Sequence, residues 1–252
     1  MVLSPRQLQG MRRAGRVAAL TLAEACERVR SGVSTGSIDA FVRDHTRSQG
    51  ARCSQHGHRV GERVFPGHVC TSVDDVVCHG VPRDDVVLED GQIVNIDVTS
   101  ELRGWHGDTS RTVFVGRPSP EAAHVVTVAK RALQLGIDAA RPGRPLHDIG
   151  RAIEAFVRTQ GCSVVTDYGG HGIGRDMHQW PHVPHHDVGG GPVLQPGMCF
   201  TIEPMVNLGG PELVHDPDGW TVRTADGRLS AQFEHTVAVT NDGVEVLTRA
   251  PG

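Results

Sequence analysis

This 252-residue sequence predicts an α+β fold of two similar halves, each with helices ahead of strands. Three observations carry that expectation. Two helical patterns are followed by short β-type runs, and then the same order begins again. The punctuation repeats as well: Gly32, Ile38, Gln49 and Gly50 have counterparts in Gly143, Ile149, Gln160 and Gly161, all at one constant offset. In both halves a turn glycine precedes a strand bearing an acid, Gly91 ahead of Asp97 and Gly197 ahead of Glu203. An internal duplication explains all three.

Taken in order, the elements read as follows. Residues 5–30 carry Leu8, Met11, Val17, Leu20 and Leu22 at helical spacing, with Ser4 as cap and Pro5 in the first turn. A second helix spans 37–48 and ends at Gly50. Beyond a loop rich in His, Arg and Gly, strands fall at 69–72, 76–78, 93–99 and 112–115. In the second half, helices cover 120–140 and 146–159. Strands follow near Val164 and at 198–202, 222–224 and 233–239. Pro118-Ser119-Pro120 marks the crossover and is too short for a flexible linker. The expected organisation is one domain over 1–252, with repeats at about 5–117 and 120–245.

Composition removes several classes of function. A net charge of −4 lacks the basic excess of a nucleic-acid binder. The N-terminus has no secretory apolar stretch, and no run of about 18 apolar residues could cross a membrane. The six cysteines form no C-x-x-C pair. A cytoplasmic protein with reduced thiols is expected. Fifteen histidines beside 29 acids direct attention to a metal site.

Acids inside apolar strands are the sharpest signal. A strand such as Ile93-Val94-Asn95-Ile96-Asp97-Val98 is at least half buried, and a buried carboxylate needs a cation or hydrogen-bond donors. Asp108 ahead of Thr112-Val113-Phe114-Val115 is echoed by Glu234 ahead of Thr236-Val237-Ala238-Val239. With His171, the acids Asp97, Asp108, Glu203 and Glu234 would converge on one cleft. Two divalent cations would neutralise the four carboxylates, and the single imidazole suits Mn, Fe, Co or Zn better than Mg or Ca. Any one of these acids alone would be read as a cap, a turn or a surface ion pair. The five together, with their flanks, are not.

Those flanks are Val77-Cys78-His79-Gly80-Val81-Pro82, Asn95-Ile96-Asp97-Val98 and Gly104-Trp105-His106-Gly107-Asp108-Thr109-Ser110. They continue as Gly170-His171-Gly172-Ile173-Gly174-Arg175, Thr201-Ile202-Glu203-Pro204 and Ser230-Ala231-Gln232-Phe233-Glu234-His235-Thr236. In this order, from about Leu8 to Leu247, the sequence resembles the type I methionine aminopeptidases among the pita-bread metallohydrolases. The resemblance implies a curved, mainly antiparallel sheet backed by helices. It also implies metal-dependent removal of the N-terminal methionine from peptides and nascent proteins, preferring a small second residue.

By the same resemblance, two divalent ions (Co, Mn, Fe or Zn) sit on Asp97, Asp108, His171, Glu203 and Glu234, with Asp108 and Glu234 bridging. Glu203 doubles as proton shuttle, and His79 and His178 position the scissile amide and stabilise its tetrahedral intermediate. Phe65, Cys70, Met177 and Trp220 line the side-chain pocket, an apolar and polarisable wall suited to a thioether. A monomer working close to the ribosome, with neither nucleic-acid nor membrane partner, completes the implied picture.

Three departures from the family pattern bear on specificity: Glu62-Arg63-Val64 in place of an aromatic and a glycine, Met177 in place of phenylalanine, and Gln179-Trp180-Pro181-His182-Val183-Pro184-His185-His186. The last is read as a solvent-facing rim loop. Prolidase or aminopeptidase P is the nearest rival, but those relatives usually have histidine where this chain has Arg175. A non-catalytic binding module would have lost ligands, and all five stand here. A histidine-rich metal buffer would not explain the motif order.

Overall fold

The computed structural model describes residues 2–250; Met1, Pro251 and Gly252, the ends of the expected domain span, lie outside them. Helix α1 (Pro5–Cys26) opens on a capping box in which the Ser4 hydroxyl accepts from Gln7 N–H and the Gln7 side chain accepts from Ser4 N–H. It ends short of the expected Arg30: Arg28 and Val29 donate three residues back, and Val29 turns in against the core. Helix α2 (Thr35–Ser48) starts on Ser34, whose hydroxyl accepts from Ser37 N–H at 3.1 Å. Helix α3 (Pro120–Ala139) is capped the same way by Ser119, and α4 (His147–Thr159) follows.

The strands that build the site are β1 (Cys70–Val73), β2 (Val76–Cys78), β3 (Ile93–Leu102) and β4 (Trp105–Phe114) in the first half. The second half supplies β5 (Gly170–Gly172), β6 (Gln179–Val183), β7 (Cys199–Ile202), β8 (Met205–Asn207), β9 (Val222–Thr224), β10 (Ser230–Gln232) and β11 (His235–Val239). All their pairings are antiparallel: β3 lies between β1 and β4, while β6, β5, β7 and β11 follow one another. β8 pairs β10, and β9 crosses back to β2 of the first half. β4 is longer than expected and holds Asp108 within it. Gly107 permits this, since a Cβ there would stand 2.5 Å from the Gly15 backbone of α1.

Each half has its own apolar core. α1 and α2 bury Ala18, Leu22, Ile38 and Val42 against Val94, Ile96 and Val98 of β3. α3 and α4 bury Val125, Ala129, Ile149 and Ile153 against Phe200, Ile202 and Val237. A third cluster of Met11, Trp105, Ile173, Cys199 and Leu247 ties the halves together. Full burial of each such side chain contributes about 1.5–3 kcal/mol. At the midline the joint is polar: Asp108 N–H donates to Thr236 Oγ1 (3.0 Å), whose hydroxyl donates to Asp108 O (2.8 Å), and Thr109 Oγ1 donates to Glu234 O (2.9 Å). The acids of both halves therefore meet along this seam.

Candidate metal centre and substrate cleft

Strand alternation puts Asp97 and Thr99 on one face of β3, and the register sets Thr99 opposite Asp108 of β4. The Thr99 hydroxyl donates to Asp108 Oδ1 at 2.8 Å. Asp97 is held from behind, its carbonyl accepting from Gln55 Nε2 at 2.8 Å, while Cys70 lies across from it on β1. In the second half, Glu203 stands one residue past the end of β7, since Pro204 has no N–H with which to extend the ladder. Thr201 Oγ1 donates to Glu203 Oε1 at 2.6 Å, and Gln232 Nε2 donates to Oε2 at 3.2 Å. Glu234 sits in the break between β10 and β11, its N–H donating to Ser110 O at 3.0 Å.

His171 is the middle residue of β5, wedged between β6 and β7. Side chains on its flanking glycines would collide: a Cβ on Gly170 would stand 2.2 Å from Thr201 O, and one on Gly172 2.2 Å from Trp180 O. His171 Nδ1 lies 3.1 Å from Gly172 O, so Nδ1–H donates there and Nε2 keeps its lone pair. That Nε2 is 3.7 Å from Asp108 Oδ2 and 3.5 Å from Glu203 Oε1.

The five residues share one cavity of about 350 Å³. Among the described residues no lysine or arginine pairs with these carboxylates, and burial lowers the His171 pKa to about 4, so that imidazole is neutral too. Burial, then mutual repulsion, pushes the Asp97 and Glu234 carboxyls well above their ordinary range; burial also raises Asp108 and Glu203. Glu234 Oε1 is buried without a hydrogen-bond partner. Donor atoms of Asp108, His171 and Glu234 lie within 4.8 Å of one another. An oxygen-rich set with one imidazole nitrogen, unneutralised and with a free buried acceptor, fits a divalent transition ion.

Of the remaining sequence-predicted residues, His79 occupies a left-handed turn (φ 55°), its ring edge-on to Tyr168 at 5.4 Å. Burial lowers its pKa to about 4. His178 stands at the rim with its ring 4.3 Å from that of His171. Phe65, Cys70, Met177 and Trp220 line the same cavity, Phe65 edge-on to Trp220 at 5.3 Å. The unusual Arg63 closes this wall: it donates to Gly219 O and lies 5.8 Å above the Trp220 ring.

One expectation is overturned. The 179–186 segment is not a solvent-facing loop throughout: residues 179–183 form β6 against β5, with Trp180 exposed and His182 lining the same cavity as the acids. His185 is buried, and its Nε2 accepts from Glu203 N–H at 3.1 Å. A single sequence gives no period from which to infer that inward turn. Thr99, Thr201 and Gln232 were also missed, although each lies two residues from an acid and so on the same strand face.

Residues 9–241 match the model of the metallopeptidase family M24. Methionine aminopeptidase A of a Synechocystis species is 47% identical over 98% of this chain and 96% of its own length. The methionine aminopeptidase of Escherichia coli K12 is 45% identical over 98% and 93%. The crystal structure of methionine aminopeptidase from Rickettsia prowazekii superposes with a TM-score of 0.93 at 42% identity, covering 98% of this chain and 99% of that one. The prolidase of Pyrococcus furiosus has the same fold at TM-score 0.76 and 21% identity, with 66% of its chain covered.

Proposed function

We infer the function from a family relationship: the chain belongs to metallopeptidase family M24 and, within it, to the methionine aminopeptidases. It is a metal-dependent hydrolase that removes the N-terminal methionine from peptides. The observation that carries the chemistry is the carboxylate cluster, buried, paired among the described residues with no lysine or arginine, and open to an apolar pocket. Asp97, Asp108, His171, Glu203 and Glu234 would hold two divalent ions, Co, Mn, Fe or Zn. When bound, such ions supply Lewis acidity and lower the pKa of the attacking water.

The chain's own groups do the rest. Glu203 moves the proton from water toward the leaving amine: Thr201 and Gln232 fix its two oxygens, and burial gives the carboxyl the affinity to hold a proton in transit. His79, neutral and held by its turn, donates to the scissile carbonyl as charge develops there. His178 orients the amide from the rim. Phe65, Cys70, Met177 and Trp220 receive the methionine side chain, where an unbranched thioether packs at low strain. Crowding of His79 and His178 beyond the acids favours a small second residue. One catalytic domain of two halves, monomeric and working in the cytoplasm on nascent chains near the ribosome, belongs to the same reading. Among the described residues no helix is long and apolar enough to cross a membrane.

The test compares Met-Ala-Ser with Leu-Ala-Ser and Met-Leu-Ser on metal-loaded protein. Fast release from the first alone is expected, about a hundredfold above the other two. Equal release of leucine would remove the pocket assignment while leaving the peptidase.

A further inference from the structure

A groove of about 510 Å³ lies alongside the catalytic cavity and takes no part in the steps above. The two spaces adjoin, because His58, Met177 and His178 line both. His58 is the partition between them. Its carbonyl accepts from Phe65 N–H at 2.8 Å, which ties it to the pocket wall, and its ring stands 5.2 Å from His178 and 6.2 Å from Trp220. A polypeptide held by its first residue in the cavity leaves past His178. An extended chain advances about 3.3–3.6 Å per residue, so its third and following residues come alongside the groove.

The chemistry of the groove differs from that of the cavity. Arg52 and Arg175 line it, and Asp176 is the single carboxylate among its lining residues. Arg175 is already placed: its guanidinium lies 3.9 Å over the Trp105 ring, and Nη1 donates to the carbonyls of Arg103 (3.2 Å) and Gly104 (3.0 Å). Among the described residues no carboxylate pairs with it. Arg52 pairs with Glu101 but is otherwise exposed. Nδ1 of His56 is 3.0 Å from Pro66 O, and Nδ1 of His106 is 3.2 Å from Gly174 O. In both rings the Nδ1–H donates to a carbonyl, which fixes how the imidazole is turned.

We propose that this groove is the subsite for the third and following residues of the substrate and that it selects acidic side chains there. Arg175 and Arg52 meet the carboxylates. The proposal rests on the aminopeptidase reading and sharpens its substrate class.

The experiment measures kcat/KM on metal-loaded protein for Met-Ala, Met-Ala-Asp-Glu-Ser and Met-Ala-Lys-Lys-Ser, with wild type, Arg175→Gln and Arg52→Gln. In wild type the acidic pentapeptide should exceed the basic one by about fivefold to tenfold at low salt, and by much less at high salt. Arg175→Gln should level that preference to about twofold while leaving Met-Ala within about twofold of wild type. Arg52→Gln, which does not touch the Trp105 stack, should reduce it in the same direction. Equal rates for the two pentapeptides in wild type, or a preference unchanged in both variants, would overturn the subsite. Failure of wild type to release methionine from any of the three would instead overturn the aminopeptidase reading, and the subsite with it.

Discussion

The two halves deliver their acids by different means. Asp97 and Asp108 sit within β3 and β4, each fixed by a continuous antiparallel ladder and needing only a short side chain. Glu203 and Glu234 sit where strands stop, on longer side chains, and Glu203 leans on neighbours: Thr201, Gln232 and His185 all bond to it. Each half places two carboxylates at the seam, one pair inside strands and the other at strand ends. We propose that the first half offers rigid ligands, whereas the second holds a carboxylate that can be steered and can pass a proton. His171, locked between two glycines, also belongs to the second half.

Breaking each half should therefore fail differently. Asp108→Asn removes a shared acid from the rigid half and should abolish both metal retention and turnover, by about a thousandfold or more. Glu203→Gln should lower kcat by about a hundredfold to ten-thousandfold while the protein still binds metal, as read by calorimetry. If Glu203→Gln lost all metal as Asp108→Asn does, the division of labour would be wrong. His185→Ala leaves Glu203 N–H without its acceptor, and outer partners of ligands typically tune affinity. It should weaken metal binding about tenfold and raise the metal concentration needed for half-maximal rate, with little change in the saturated rate.

The acidity of the cluster makes a prediction about stability. Asp97 and Glu234 have folded pKa values raised above the unfolded ones, chiefly by burial. The metal-free folded state thus binds more protons than the unfolded chain, and its stability falls as pH rises through the folded pKa values. Buried imidazoles act oppositely, since His79 is lowered to about 4 and His185 to about 3. Their contribution is complete above the unfolded histidine pKa, so it drops out of the comparison between about pH 7 and about pH 9. Across that window the melting temperature of stripped protein should decline and the stabilisation by added metal should grow. A metal-induced shift that shrinks with pH would contradict the unneutralised cluster. The smallest effect expected is that of Met177→Phe, about twofold in kcat/KM for Met-Ala-Ser, because both side chains are apolar and of similar size.

The sequence made the carboxylate cluster far more legible than its support. Asp97 and Glu203 announce themselves as charges in apolar strands, whereas the strand around His171, with no room for side chains on its glycines, was not expected. The capping of α1 was also visible, in Ser4 and Pro5, although the part of Gln7 was not. Chain reversals were not. His185 turns inward because of where β6 ends against β5, and Asp108 lies within β4 because α1 packs onto Gly107; both are tertiary facts. The partition by His58 follows from a hairpin whose strands are only two residues long, too short for any period to register.

The most direct test is free methionine released from Met-Ala-Ser by metal-stripped protein, with Mn, Fe, Co or Zn added back singly and Glu234→Gln in parallel. Release should rise from background with the added ion, level off near two ions per chain, and stay at background in the variant. Release that survives stripping, or none from folded and metal-loaded protein, would contradict a metal-dependent aminopeptidase built on these five residues.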